Sequence, residues 1–184
     1  MPARKAILLI VAAIVLAAGL LISCGPAPKG GTPVSYVVDA PVPPARAKRA
    51  PALTVTDLEG RQIQTAGLQG NVVLVNFWAA WCTPCTDEVP RLIELQEKYR
   101  ARGLRIIGYS MEDRESALRE FYRSRRMNYP VVVGNAKIAE AYGGVLGLPM
   151  SLLIARDGTV RATYPGMADI GKLERDIVAQ LDQR

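Results

Sequence analysis

The sequence predicts an α/β domain, a central mixed β-sheet flanked by helices on both faces with an N-terminal β-hairpin. Three observations carry this. The run Val72-Val73-Leu74-Val75-Asn76-Phe77 is apolar and β-branched, as a strand buried on both faces requires. Directly after it, Val89, Leu92, Leu95 and Tyr99 recur at spacings of three and four, the period of an amphipathic helix. Towards the C-terminus, two strand-type segments, Leu152 to Ala155 and Thr159 to Tyr164, flank Arg156-Asp157-Gly158, and the Asp-Gly pair marks a tight hairpin turn.

The elements follow in order. Leu53 to Leu58 and Arg61 to Gln64, joined through Glu59-Gly60, read as the N-terminal hairpin. Leu68-Gln69-Gly70-Asn71 leads into the buried strand. The next helix has Asp87, Glu88, Glu94, Glu97 and Lys98 at its polar positions, and Gly103 is its stop signal. Leu104, Ile106, Ile107 and Tyr109 form a strand. Leu118, Phe121 and Tyr122 share one face of a helix whose other face, Arg119, Arg123 and Arg126, is read as solvated. Tyr129 to Val133 is a short strand, and a short helix around Ile138 to Tyr142 ends at Gly143-Gly144. Leu152 to Ala155 and Thr159 to Tyr164 are the hairpin strands. Asp169 can cap a final helix with Ile170, Leu173, Ile177, Val178 and Leu181 on its apolar face. No internal repeat appears.

The N-terminal segment bears on location. Arg4 and Lys5 precede an unbroken apolar run of 17 residues, Ala6 to Ile22, which ends in Leu21-Ile22-Ser23-Cys24 with Gly25 after it. This is signal-peptide grammar leading into a cysteine. It resembles the bacterial lipobox, whose cysteine is lipidated and becomes the new N-terminus. Residues 1–24 are therefore expected to be a signal peptide with lipobox, with Cys24 as the lipid anchor. That makes the chain a membrane-anchored lipoprotein on the extracytoplasmic, periplasmic side. An uncleaved signal anchor is the alternative, for which 17 residues is short. Residues 25–51 read as a Pro-rich basic tether, with seven prolines between Pro26 and Pro51. Lys29, Arg46, Lys48 and Arg49 could meet anionic headgroups, although a solvated linker is the plainer reading. The folded domain is then 52–184.

The formal net charge is +6, from 23 basic and 17 acidic residues. Without Arg4 and Lys5 it is 21 against 17, or +4. No dense basic stripe with interleaved aromatics appears, so no nucleic-acid partner is expected. The chain has no histidine, which removes imidazole as base or ligand. Neither a metal nor another cofactor is expected, and the chain is read as a monomer.

Cys82 and Cys85 sit where the buried strand hands over to the amphipathic helix. A helix N-terminus carries unpaired N–H groups and the positive end of the dipole, which favours thiolate over thiol. Pro84 fits a first-turn position, where its missing N–H costs nothing. Sulfurs at i and i+3 can close a small ring and reopen it. Inert core cysteines rarely occur as such a pair. Half a zinc site would need further ligands, and the only other cysteine is Cys24. A permanent structural disulfide in so short a ring would constrain little of the unfolded chain. Thiol–disulfide exchange is the reading the pattern favours.

The segment Asn76-Phe77-Trp78-Ala79-Ala80-Trp81-Cys82-Thr83-Pro84-Cys85, followed by Glu88 and Pro90, resembles the thioredoxin-like proteins of the TlpA/ResA type. A second motif, Gly147-Leu148-Pro149, then Ser151 to Ile154, then Asp157-Gly158, supports the likeness, which spans about residues 52 to 184. The resemblance implies a thioredoxin-like fold and a cis Pro149 lying against the disulfide, offering a backbone edge to an incoming peptide. Met150 departs from the pattern, since many relatives carry threonine there. Thioredoxin itself has a buried aspartate on the strand before the motif. Asn76 stands there in this chain and cannot carry a proton. Glu88, one turn past Cys85, is the nearest ionisable replacement, and ResA-type proteins carry a glutamate at the matching position. A carboxylate that merely complements the helix dipole is the competing reading of Glu88.

Cys82, at the strand's end, is then the attacking thiol and Cys85 the resolving one. Trp81 would shield the pair and offer a flat apolar surface. The resemblance implies a reductase of extracytoplasmic protein disulfides, for example apocytochrome c cysteines, fed by a membrane electron donor of thiol type. Two other readings stay open. One is a thiol peroxidase, since the wider relatives include peroxiredoxins. Their Pro-x-x-x-Thr/Ser-x-x-Cys pattern is missing, because Val75 and Trp78 occupy the proline positions. The other is a non-catalytic copper-binding or scaffold module, for which the sequence has no methionine near the motif.

Overall fold

The computed structural model describes residues 48–111 and 114–183. The signal segment, Cys24 and most of the tether lie outside them. Among the described residues no helix is long and apolar enough to cross a membrane.

The chain opens with a two-stranded antiparallel hairpin, β1 (Thr54–Thr56) and β2 (Gln62–Gln64). Then come β3 (Val72–Trp78), α1 (Thr83–Tyr99), β4 (Leu104–Ser110), α2 (Glu115–Ser124), β5 (Val131–Val133) and α3 (Ala136–Ala141). A hairpin, β6 (Met150–Ile154) and β7 (Val160–Pro165), and α4 (Ile170–Asp182) complete it. The main sheet has five strands in the order β5-β4-β3-β6-β7. β4 runs parallel to β3 and to β5, and the β6–β7 hairpin joins antiparallel. This is the mixed sheet that the element order predicts.

β3 is buried along all seven residues, which explains its near-continuous apolar sequence. Its side chains alternate between the two faces. Val72, Leu74 and Trp78 pack with Val89, Leu92 and Leu95 of α1, Leu118 of α2, and Leu173, Ile177 and Leu181 of α4. Val73, Val75 and Phe77 pack with Val55 of β1 and with Ala139 and Tyr142 at α3. Helices therefore cover both faces, and Asn76 belongs by alternation to the α1 side.

Several details differ from expectation. Thr65–Leu68 is a 3-10 turn, not a plain lead-in. Thr65 folds the chain back by donating to the Pro51 carbonyl at 2.8 Å and accepting from the Leu53 N–H at 2.8 Å. α2 stops at Ser124, so Arg126 lies past its end, with φ 50°. Arg119 is not merely solvated. It pairs with Glu115 at 2.6 Å and donates to the Leu58 carbonyl, linking α2 to the hairpin. The hairpin also covers the sheet edge, since Asp57 bridges to Val132 and the Leu58 N–H donates to the Val131 carbonyl at 2.8 Å.

The β6–β7 turn spans three residues. The Gly158 N–H donates to the Ala155 carbonyl at 2.9 Å, and Gly158 has φ 82°, a conformation glycine adopts without steric cost. Residues 48–50 run along the start of β7. The Val160 N–H donates to the Lys48 carbonyl and the Ala50 N–H to the Gly158 carbonyl, both at 2.9 Å. Asp169 caps α4 as expected, accepting from the Lys172 N–H at 3.0 Å.

Register defines the two ends of the sheet. Trp78 faces Ser110, Phe77 faces Met150, and Met150 faces Pro165. The segments after β3 and β4, before β6 and after β7 therefore all emerge at one end.

Candidate active site

Cys82 and Cys85 lie at that end. They form a disulfide with S–S 2.06 Å and Cα–Cα 5.2 Å. Cys82 is the N-cap of α1, with extended backbone, and its carbonyl accepts the first helical hydrogen bond from the Thr86 N–H at 3.0 Å. Pro84 occupies the first turn, where a helix has no acceptor waiting for an N–H. Further along, Pro90 leaves the Thr86 carbonyl without its helical donor, on the exposed side of α1. Cys85 is the inner sulfur, 1% exposed against 7% for Cys82.

Glu88 is not at a solvated polar position, nor is it a first-turn dipole partner. Its side chain is 3% exposed and points into the sheet. One carboxylate oxygen accepts from the Ala168 N–H at 3.1 Å. The other accepts from Asn76 Nδ2 at 3.3 Å. Asn76 Nδ2 also donates to Ser151 Oγ at 3.0 Å. Burial pushes the Glu88 carboxyl above its ordinary range, while the Ala168 N–H and the Asn76 amide pull in the other direction. The structure thus contains a buried carboxylate one helical turn from Cys85, held by donors from β3 and from the β7–α4 loop.

The Leu148–Pro149 bond is cis, and Pro149 is buried at the start of β6. Leu148 packs against both the cluster holding the disulfide and the cluster on the opposite face of the sheet. Trp81 is 68% exposed, so its ring stands open to solvent beside Cys82. Leu146 and Met167 are also exposed apolar side chains, on two other loops at this end. A groove between α3 and the 143–148 loop continues the apolar surface, lined by Met111, Ala139, Glu140, Val145, Leu146 and Leu148.

The fold brings Met111, whose N–H donates to the Trp78 carbonyl at 2.7 Å, and Met167 to the same end. Two members of the site escaped the sequence reading. Ala168 contributes only its backbone, which no residue type announces. Ser151 did leave a signal, as the one polar side chain in the otherwise apolar run Met150–Ile154, all of it buried.

Residues 47–163 match the AhpC/TSA family. The chain is 39% identical over 128 residues to thiol-disulfide oxidoreductase ResA of Bacillus thuringiensis subsp. konkukian, covering 69% of this chain and 73% of that one. It is similar in structure to a thiol:disulfide interchange protein of the thioredoxin family from Chlorobium tepidum (TM-score 0.70, 26% identity, 74% of this chain and 98% of that one). A putative thiol:disulfide interchange protein DsbE from Chlorobium tepidum gives a TM-score of 0.69 at 28% identity, over 73% of this chain and 96% of that one. With the paired cysteines at a helix start and the thioredoxin-like sheet behind them, this chain belongs to the AhpC/TSA family and is a thiol–disulfide oxidoreductase of the TlpA/ResA type.

Proposed function

We propose that the protein is a membrane-tethered, extracytoplasmic reductase of partner-protein disulfides, in which Cys82 attacks, Cys85 resolves and Glu88 carries the proton. The observation that carries this reading is the buried, hydrogen-bonded Glu88 carboxylate one turn behind the Cys82–Cys85 pair. In the reduced protein, Cys82 thiolate attacks one sulfur of the partner disulfide. A mixed disulfide forms, and the partner's other sulfur leaves and takes up a proton. Cys85 then attacks Cys82 sulfur, its thiol proton passing to Glu88. The partner's remaining sulfur leaves and receives that proton. Two electrons have moved, the partner is a dithiol, and Cys82–Cys85 is a disulfide. A thiol-type membrane donor resets it.

Trp81, Leu146 and Met167 offer apolar surface for the partner around the attacking sulfur, and cis Pro149 an edge beside it. Pro84 keeps the helix start in shape. Apocytochrome c cysteines awaiting haem are the substrate class proposed. A peroxidase has less support, because Val75 and Trp78, at the two positions that pattern gives to proline, are buried strand residues.

The test is trapping. Cys85→Ser should accumulate mixed disulfides through Cys82 on extracytoplasmic proteins, because the resolving thiol is gone. More partners trapped by Cys82→Ser would reverse the roles. The anchor reading rests on Leu21-Ile22-Ser23-Cys24. Intact mass of the membrane-extracted protein should show a lipid-modified Cys24 at the N-terminus, and residues 1–23 still attached would overturn it.

A further inference from the structure

We propose that Ser151 and Asn76 form a positioning relay that fixes the Glu88 carboxylate behind Cys85, Ser151 acting through the Asn76 amide. The inference deepens the reading of Glu88 as the proton carrier and rests on it for its catalytic meaning. Asn76 and Ser151 are direct partners across the antiparallel β3–β6 pair, so their side chains leave the sheet on the same face. Both are buried, at 1% exposure.

An amide nitrogen has two protons, and Asn76 Nδ2 uses one on each neighbour, Ser151 Oγ at 3.0 Å and Glu88 Oε2 at 3.3 Å. The ionised carboxylate, which can only accept, selects the nitrogen end of the amide, and the hydroxyl, by accepting the second proton, holds the amide plane at the angle that serves both neighbours. An Asn76 amide turned over would present its oxygen to Glu88, an acceptor that favours the protonated acid and penalises the anion. Ser151 occupies the second amide proton and so holds the first on Glu88.

The remaining hydrogen bond to Glu88 comes from the Ala168 backbone, which no side-chain substitution removes. The adjustable half of the carboxylate's environment is thus the Asn76–Ser151 half. A serine in a fully buried apolar strand also costs stability unless it is hydrogen-bonded, and the Asn76 amide meets that demand. Ser151 lies two residues after cis Pro149, so the proposed partner-facing edge and the support of the buried acid sit at the lead-in and start of one strand.

The experiment follows the Glu88 carboxyl by 13C NMR titration in the oxidised full chain, with the pH profile of thiol alkylation measured on the reduced protein. Ser151→Ala should raise the Glu88 midpoint by about one pH unit, since a donor to the anion is lost or misdirected. Ser151→Thr, which keeps the hydroxyl, should restore it. The alkylation profile should move with Ser151→Ala but not move further when Ser151→Ala is added to Glu88→Gln. A Ser151→Ala protein with an unchanged Glu88 midpoint, whatever its thermal stability, overturns the relay. A shifted Glu88 midpoint with alkylation insensitive to both Ser151→Ala and Glu88→Gln supports the relay and removes the proton role of Glu88. Should Ser151→Ala fail to fold, Ser151→Val removes the same hydroxyl in a strand-compatible side chain, and its Glu88 midpoint, compared with that of Ser151→Thr, decides the matter on the same terms.

Discussion

Glu88 is the residue whose position most changes the account. A buried carboxylate with a raised proton affinity costs stability at neutral pH. Between the ordinary range near pH 4 and the raised folded value, the folded chain keeps a proton that the unfolded chain has released. Stability from this group therefore falls as pH rises through that window. Glu88→Gln abolishes the slope. The stability difference between variant and wild type should move in the variant's favour between pH 4 and 8, by about 1.4 kcal/mol for each pH unit of elevation. Denaturant midpoints across a pH series measure this, and a pH-independent difference would refute it. Cys82 and Cys85 were legible in the sequence because their chemistry is local, two thiols within one turn. The burial of Glu88 was legible only in part. Positions 85, 88, 92, 95 and 99 form one stripe along α1, and all five are buried. Its charge invited a solvent-facing placement, whereas its spacing puts it on the stripe. Asn76 supplies the reason an acid is tolerated there, and that partner comes from a strand twelve residues away.

At the scale of elements, the strands and helices follow hydrophobic period closely, and the departures occur where side chains bond to distant backbone. Arg156 is the clearest instance. The turn signal Asp157-Gly158 was readable, but the role of its neighbour was not. The Arg156 guanidinium donates to the carbonyls of Gly70 before β3, Arg102 before β4 and Leu181 at the end of α4. It satisfies orphan carbonyls of two helical ends and one loop at once. Arg156→Ala should cost about 2 kcal/mol, as loss of charged hydrogen bonds to backbone acceptors does. Chemical denaturation measures the loss, and a change within 0.5 kcal/mol, the ordinary surface range, would show the three contacts to be incidental. Because these carbonyls lie at the sheet end opposite the disulfide, the exchange rate of the folded variant should stay at the wild-type value. Arg119 on α2 teaches the same lesson on a smaller scale. A charged face reads as solvated until the fold supplies a carbonyl, here that of Leu58, for one of its arginines.

At the scale of the whole molecule, the apolar surface around Cys82 is assembled from loops 65 and 86 residues away from Trp81 in sequence, at Leu146 and Met167. No local pattern could group them. Only the antiparallel return of β6 and β7 brings them to the β3 end. The same geometry fixes where the chain enters. Residues 48–50 are bonded to the start of β7, at the opposite end of the sheet from the disulfide. With β3 seven residues long, the two ends are separated by about 23 Å. In the tethered protein proposed above, entry point and sulfur pair act as opposite poles. A donor embedded in the membrane then meets the disulfide only when the domain inverts, whereas a partner in the aqueous compartment meets it directly. In that proposal the length of the tether sets the effective concentration of disulfide at the donor, which reaches millimolar only when the linker spans the gap. Deleting residues 30–40 should therefore slow re-reduction by the membrane donor while leaving reduction of a soluble peptide disulfide unchanged. Stopped-flow tryptophan fluorescence in vesicles and in solution separates the two rates. In the proposed arrangement the tether length is a kinetic setting, dividing one pair of sulfurs between a supplier on one side and customers on the other.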